Sequence, residues 1–332
     1  MPILTFEELI IVRNFGELKV FVCNSSSHLL PGICDRLMIT PGDATIGRFA
    51  GGEVKIKINE SVRDDDIFVV CSMQPPAENI VEAMLLTRAI KGSSASRVTL
   101  VILHLGYNRQ DKKNEPRVPI SASWILDLIL SSGANRALFF DAHSEATLGK
   151  LDGQMPYDHL YGSYVIVDHL KKVLGEPFVI ASPDAGGAKR AGAYSRRLRG
   201  NDEIVMFGKS RTPDGELDGT VTIIGDVAER TVVIVDDMID TGGTLIQCAH
   251  AAKNAGAQKI IACATHGLFS DNAIVRLRES KLSEIIVTDS ISLPYSICST
   301  DELTVTVISI ERMIARAINN LHKSESLSVL FD

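Results

Sequence analysis

Short runs of β-branched and aliphatic residues alternate along this chain with longer amphipathic segments. The runs Leu18–Cys23, Ile67–Cys71, Val98–Leu103, Ala137–Asp141, Phe178–Ser182, Glu203–Phe207, Thr231–Val235, Lys259–Thr265, Glu284–Thr288 and Leu303–Ile308 read as strands. The segments Glu78–Lys91, Ile120–Ser131, Gly162–Leu174, Gly187–Leu198 and Gly243–Ala255 read as helices. Pro119 stands where a first-turn proline belongs, and Gly256 where a helix-ending glycine belongs. Strands that are apolar on both faces, alternating with helices, predict parallel sheets covered on both sides. The pattern restarts near residue 160, which predicts two subdomains. The polar stretches Gln110–Pro119 and Lys209–Gly219 read as long loops.

Composition narrows this picture. The chain has 332 residues, of which 45% are hydrophobic and only 5% aromatic. That excludes wholesale disorder and favours α/β architecture over a large β-sandwich. With 34 basic against 41 acidic residues, the net charge of -7 gives no electrostatic reason to expect nucleic acid or an anionic membrane as partner. No apolar run approaches the roughly 18 residues of a membrane-spanning helix. Met1–Arg13 carries Glu7 and Glu8 and lacks the basic start of a signal peptide. Cys23, Cys34, Cys71, Cys248, Cys263 and Cys298 are scattered without metal-like spacing and read as reduced core residues. A soluble, cytoplasmic protein is expected.

The strongest local signal is the segment from Val233 to Thr244. An apolar strand ends in Asp236 and Asp237, the turn Asp240-Thr241-Gly242-Gly243-Thr244 follows, and a helix begins. Glycines let the backbone approach an anion closely, and amides at a helix start point at a phosphate. Two carboxylates at the end of a parallel strand suit sugar hydroxyls or a hydrated metal. This segment resembles the ribose 5-phosphate motif of the phosphoribosyltransferase fold. By itself it leaves a nucleobase phosphoribosyltransferase as an equal candidate.

Other segments distinguish the two. They are Gly42–Phe49 leading into Gly52-Glu53-Val54, Gly106–Lys113, Asp141–Glu145, Ser182–Gly187, Ile224–Val227, Ala264–Ser270 and Glu325–Phe331. In this order and spacing, across residues 18–332, the chain resembles the ribose-phosphate pyrophosphokinase family. The resemblance implies two phosphoribosyltransferase-like subdomains, each a mainly parallel sheet flanked by helices. Residues 1–160, joined by 316–332, would form the ATP side, and 161–315 the ribose 5-phosphate side, with the two substrates meeting near the subdomain interface. Phe49, Gly51, Gly52 and Glu53 would meet adenine, and Arg109, Gln110 and Asp111 would hold ATP. Asp236, Asp237, Asp240, Thr241, Gly242, Gly243 and Thr244 would bind ribose 5-phosphate. His143 and Asp184 would be ligands of Mg2+, and Lys209 and Arg211 would act on the transferring group. The implied reaction moves the β,γ-diphosphoryl group of Mg-ATP to the anomeric hydroxyl of ribose 5-phosphate. The implied assembly is a homo-oligomer, a hexamer or another assembly of dimers.

Some positions depart from the family pattern. Gly51 stands where Asp or Asn is usual, Lys112-Lys113 replace two arginines, and Ser210 replaces an arginine. These keep open a non-catalytic subunit that restrains a true synthetase. Arg63, Ser326 and Ser328 match parts of a phosphate-responsive regulatory site. Gly92 stands where a regulatory arginine is common, and Asp64, Asp65 and Asp66 are expected to crowd acidic charge beside Arg63. Weak activation by phosphate is expected.

Overall fold

The computed structural model describes residues 15–211, 217–294, 297 and 303–331, with the side chains of 209–211 and 217–220 outside the described set. The chain divides into two units. The first comprises the described residues of Met1–Phe139, Ser144–Asp158 and Ile314–Asp332; the second comprises those of Phe140–His143 and His159–Met313.

In chain order the first part contains β1 (Leu18–Val22), α1 (Leu30–Leu37), β2 (Ala44–Arg48), β3 (Val54–Ile58), β4 (Asp66–Ser72) and α2 (Glu78–Gly92). It continues with β5 (Arg97–His104), α3 (Ser121–Ser131), β6 (Arg136–Phe140), α4 (Glu145–Leu148) and β7 (Tyr157–Leu160). Its sheet has the order β1-β4-β5-β6-β7, with β1, β4, β5 and β6 parallel. Every residue of β4 is buried, as a strand covered on both faces requires. β2 and β3 form a separate antiparallel hairpin that the sequence reading missed. Val54, Ile56 and Ile58 alternate there with Lys55 and Lys57, a period-2 pattern that a search for unbroken apolar runs passes over. Residues 105–120 form the expected loop, but Pro119 lies outside α3, because Ile120 is the N-cap.

The acidic run Asp64–Asp66 does not crowd Arg63 as expected. Asp66 is fully buried and receives both Nε and Nη2 of Arg97, at 2.8 and 2.6 Å, while His322 Nδ1 lies 2.8 Å from Oδ2, the oxygen that also takes Nη2. Asp65 is neutralised by Lys19 at 3.2 Å. The reason is energetic: a buried carboxylate must be paired. Arg97 also donates to the Leu321 carbonyl at 2.8 Å and stacks on Phe15, so Asp66 ties the C-terminal segment to this sheet.

The second part contains α5 (Ser163–Val173), β8 (Phe178–Ser182), α6 (Ala188–Arg199), β9 (Ile204–Arg211), β10 (Leu217–Ile224), β11 (Thr231–Ile239) and α7 (Gly243–Asn254). β12 (Lys259–Gly267), α8 (Ala273–Arg278), β13 (Glu284–Thr288), β14 (Thr304–Ile308) and α9 (Glu311–His322) complete the chain. The sheet order is β10-β9-β8-β11-β12-β13-β14, parallel except for the β9/β10 pair. Val232 and Ile234 pack on one face with Leu245, Ala249 and Leu277, while Val233 and Val235 pack on the other with Ile166, Leu170 and Tyr194. The expected loop at Lys209–Gly219 is instead the end of an antiparallel hairpin: Lys209 pairs with Val221 and Arg211 with Leu217. Cross-strand pairing, which local composition does not report, continues the strands there. Residues 212–216 lie outside the described residues.

Five cysteines, Cys23, Cys34, Cys71, Cys248 and Cys263, are free and buried, and Cys298 lies outside the described residues. Among the described residues, no helix is long and apolar enough to cross a membrane.

Candidate active site

β11 runs to Ile239 rather than stopping at Val235, because its pairing with β12 continues through Met238↔His266 and Ile239↔Gly267. Asp236 and Asp237 are therefore strand residues, and the turn starts only at Asp240. Gly242 is the N-cap of α7 with φ +74°, a left-handed conformation that favours glycine. A Cβ there would also lie 3.0 Å from Leu277. From α8, Arg276 Nη2 donates to the Thr241 carbonyl at 2.7 Å and holds that oxygen. Gly243 is different, since a Cβ built on it meets nothing within 4 Å. The first amides of a helix have no acceptor in a preceding turn, so the open side at Gly243 is lined by backbone donors suited to an anion.

Immediately before this turn stands a polar cluster that links α6, β11 and the segment Phe140–His143. Arg190 Nη1 lies 3.4 Å from Asp236 Oδ1 and 3.5 Å from Asp237 Oδ1. His143 Nδ1 is 2.5 Å from Asp237 Oδ2. Burial opposes the Asp237 charge, but the His143 hydrogen bond and the Arg190 guanidinium win and hold it well below the usual carboxylate range. Asp236 goes the other way: burial first, then the neighbouring Asp237 charge, push it up to about 7. Arg190 is itself raised, because the charges of Asp237, Asp141 and Asp236 outweigh its desolvation. The cluster thus pairs Asp237, held ionised by His143 and Arg190, with a neighbouring Asp236 that burial and the Asp237 charge push the other way.

Asp184 follows β8 at the entry to α6, where its Oδ1 accepts the Gly187 amide at 3.0 Å. Among the described residues, no three His, Cys, Asp or Glu side chains cluster as a metal cage. One imidazole and one exposed carboxylate nevertheless fit a divalent cation that arrives with phosphate oxygens and water as most of its ligands. Magnesium in nucleotide sites is commonly held that way.

The first unit holds the residues expected on the nucleotide side. Phe49 sits at the tip of the β2–β3 hairpin, 52% exposed, with Lys55 Nζ 5.6 Å from its ring centre. Gly51 and Gly52 form the turn, which the Phe49 amide closes on the Glu53 carbonyl at 2.9 Å. Arg109 is exposed in the loop 105–120, and Asp111 is half-buried in the same loop. Gln110 is anchored, since its side-chain oxygen accepts from Ser121 Oγ and its carbonyl accepts from the Ala122 amide. Lys209 and Arg211 have strand backbones, and their side chains lie outside the described residues.

The sequence reading assigned no role to Arg190, His159, Thr265 or His266. Arg190 could have been noticed as a cation in the first turn of a helix that follows Asp184-Ala185-Gly186-Gly187. His159 and His266 act on the backbone around Asp141, and Thr265 on the Asp141 carboxylate, all distant in sequence.

Comparison with known proteins identifies the family. Residues 18–133 match a family described as the N-terminal domain of ribose phosphate pyrophosphokinase, and residues 216–332 one described as the phosphoribosyl synthetase-associated domain. The chain is 40% identical over 319 residues to the ribose-phosphate pyrophosphokinase of Vibrio parahaemolyticus, covering 95% of this chain and 99% of that protein. It is 39% identical over 320 residues to that of Haemophilus ducreyi, with the same coverage. The crystal structure of phosphoribosylpyrophosphate synthetase from Mycobacterium smegmatis matches with a TM-score of 0.85 at 30% identity, over 93% of this chain and 100% of that one.

Proposed function

The chain belongs to the ribose-phosphate pyrophosphokinase family and is a diphosphotransferase, and on that footing we propose that it transfers the β,γ-diphosphoryl group of Mg-ATP to the anomeric hydroxyl of ribose 5-phosphate. The products are 5-phosphoribosyl 1-diphosphate and AMP. The observation that carries this reading is the Asp236–Asp237 pair, held by Arg190 and His143 at the end of β11, followed by a turn whose Gly243 side is open at the start of α7.

In this reading the turn Asp240–Thr244 takes the 5-phosphate, with the threonine hydroxyls adding donors. Asp236 and Asp237 orient the ribose hydroxyls, and Arg190 holds the two carboxylates at 3.4 and 3.5 Å from one nitrogen. Phe49 gives adenine an apolar face at the hairpin tip, Gly51, Gly52 and Glu53 meet its polar edge, and Arg109, Gln110 and Asp111 hold the nucleotide. His143 and Asp184 hold Mg2+. When bound, the metal neutralises charge on the transferring phosphates. Lys209 and Arg211 supply cations to the diphosphoryl group as charge develops. No covalent intermediate is needed, because alignment and charge neutralisation carry most of such a barrier. A homo-oligomer built from dimers completes the reading; exposed Val81 and Leu85, one turn apart on α2, support a surface of that kind in the first unit.

Incubating the purified protein with Mg-ATP and ribose 5-phosphate tests the reaction, with AMP followed by chromatography and the diphosphorylated sugar by phosphorus NMR. Stoichiometric AMP and sugar diphosphate are expected. Binding of both substrates without turnover would favour the associated, non-catalytic subunit that Gly51 and Ser210 suggest. Light scattering decides the assembly.

A further inference from the structure

The peptide group between Asp141 and Ala142 is gripped at both ends by a histidine. Its carbonyl oxygen, on Asp141, lies 3.1 Å from His266 Nε2. Its N–H, on Ala142, donates to His159 Nε2 at 2.8 Å. We infer that His266 and His159 are positioning residues for His143, which they serve by fixing the plane of the peptide one residue before it.

The two imidazoles must play opposite parts. His266 Nε2 faces an acceptor, so it carries the proton. Its Nδ1 then accepts, and Ser290 Oγ is there at 2.9 Å. The Thr265 carbonyl accepts from Thr288 Oγ1 at 2.7 Å and lies 3.2 Å from Ser290 Oγ, so the Ser290 hydroxyl is shared between that oxygen and the ring. Phe140 meets His266 edge-on at 6.3 Å, and the ring is 1% exposed, so its orientation is closed by packing. His159 Nε2 faces a donor and is therefore the unprotonated nitrogen of its ring. Hydrogen-bond roles alone fix both tautomers.

The grip is needed because Asp141 is left-handed, with φ 48°. That conformation is disfavoured for a residue with a Cβ, so surrounding contacts must hold it. They do. The Asp141 amide donates to the Leu160 carbonyl at 2.8 Å, and its Oδ2 accepts the Gly162 amide at 3.1 Å and the Thr265 hydroxyl. A side chain at Gly162 would overlap Thr265. The chain therefore turns sharply off β6 and delivers His143 Nδ1 to Asp237 Oδ2.

The consequence for turnover rests on the proposed role of His143, whereas the geometric claim does not, and two readouts separate them. His266→Leu removes the donor to the Asp141 carbonyl, and His266→Gln restores an amide N–H of similar reach. With nitrogen-labelled histidine, the His143 ring signal reports its hydrogen bond to Asp237 without any substrate. It is expected to move in His266→Leu and return toward its native position in His266→Gln. In turnover, His266→Leu is expected to lose on the order of a hundredfold in kcat, with smaller changes in KM, as misplacement of a reacting group does. The double variant His143→Ala/His266→Leu should be no slower than His143→Ala alone. An unmoved His143 signal in His266→Leu, or additive losses in the double variant, would overturn the inference. If His266→Leu does not fold, Ser290→Ala takes its place: it removes the hydrogen bond at His266 Nδ1 together with the Ser290 contacts to Thr265 and Thr288, and a His143 signal unchanged by it overturns the inference equally. A wild-type protein without synthetase activity would instead overturn the proposed reaction and leave the ring-signal test standing.

Discussion

Replacing Gly243 by valine puts a branched side chain on the first residue of α7, on the open side of the turn. Its Cβ meets no atom within 4 Å, so the folded chain has room for it. The cost to stability should stay within about 0.5 kcal/mol, the usual range for surface changes. The cost to binding should be much larger, because the space it fills is where the 5-phosphate must approach the amides. A hydrogen bond to a charged group contributes roughly 1.5–3 kcal/mol, so losing even one weakens ribose 5-phosphate by about ten- to a hundredfold. Gly242→Ala is the opposite perturbation. At φ +74° and 3.0 Å from Leu277 it strains the fold itself, at a cost of about 1–2 kcal/mol. Titration calorimetry with ribose 5-phosphate and scanning calorimetry of both variants separate the two effects. The expected pattern is a weakened ligand with a native melting temperature for Gly243→Val, and a lowered melting temperature for Gly242→Ala. Native ribose 5-phosphate affinity in Gly243→Val would remove the turn from the site. A melting temperature as low as that of Gly242→Ala would refute the open space at Gly243.

Lys209→Ala should lower turnover by on the order of a hundredfold, about 3 kcal/mol, with the fold intact by circular dichroism; near-native turnover would end its catalytic assignment. Asp66→Asn leaves Arg97 without its buried counter-charge and should cost about 3 kcal/mol in urea unfolding, since losing one partner strands the other; an unchanged midpoint would contradict the anchoring role. Burial holds His266 below its ordinary 6.5, so the unfolded chain takes up a proton there that the folded chain resists. Stability from this group is complete above pH 6.5 and falls as pH drops below it, by up to about 1.4 kcal/mol per pH unit. His266→Gln should flatten that part of the stability profile, and identical slopes in the two proteins would refute it. Inorganic phosphate, titrated at saturating substrates and constant ionic strength, should activate weakly, because Gly92 supplies no guanidinium; a steep rise from near-zero activity would sink that expectation, which no longer draws on Asp65 and Asp66.

Much of the sheet was legible from local pattern. The runs at Phe178–Ser182 and Glu284–Thr288 are the strands β8 and β13 themselves. The strand–turn–helix junction at Asp240–Thr244 was legible too, because strand end, glycines and helix start lie within a few residues of one another. What local pattern missed depended on partners elsewhere. β9 and β10 extend into an expected loop because each supplies the other's hydrogen bonds. Asp66 reads as one of three surface acids until Arg97 and His322 take it into the interior.

Hydrophobic periodicity and turn chemistry are short-range, and they were enough to determine an α/β chain of two halves with a glycine turn between strand and helix at Asp240–Thr244. Tertiary structure alone decided which charges share a site. Arg190, His143, Asp236 and Asp237 come from three separate elements: the pairing of β11 with β8 sets the two aspartates beside α6, and the contacts of Asp141 with Gly162, Thr265 and His266 carry His143 to them. The ionisation of Asp237 belongs to that meeting. So does the orientation of His143, held through one peptide by His266 and His159. A carboxylate's charge state and a histidine's aim are set by the few ångströms around them, and folding fills that distance with residues far apart in the chain.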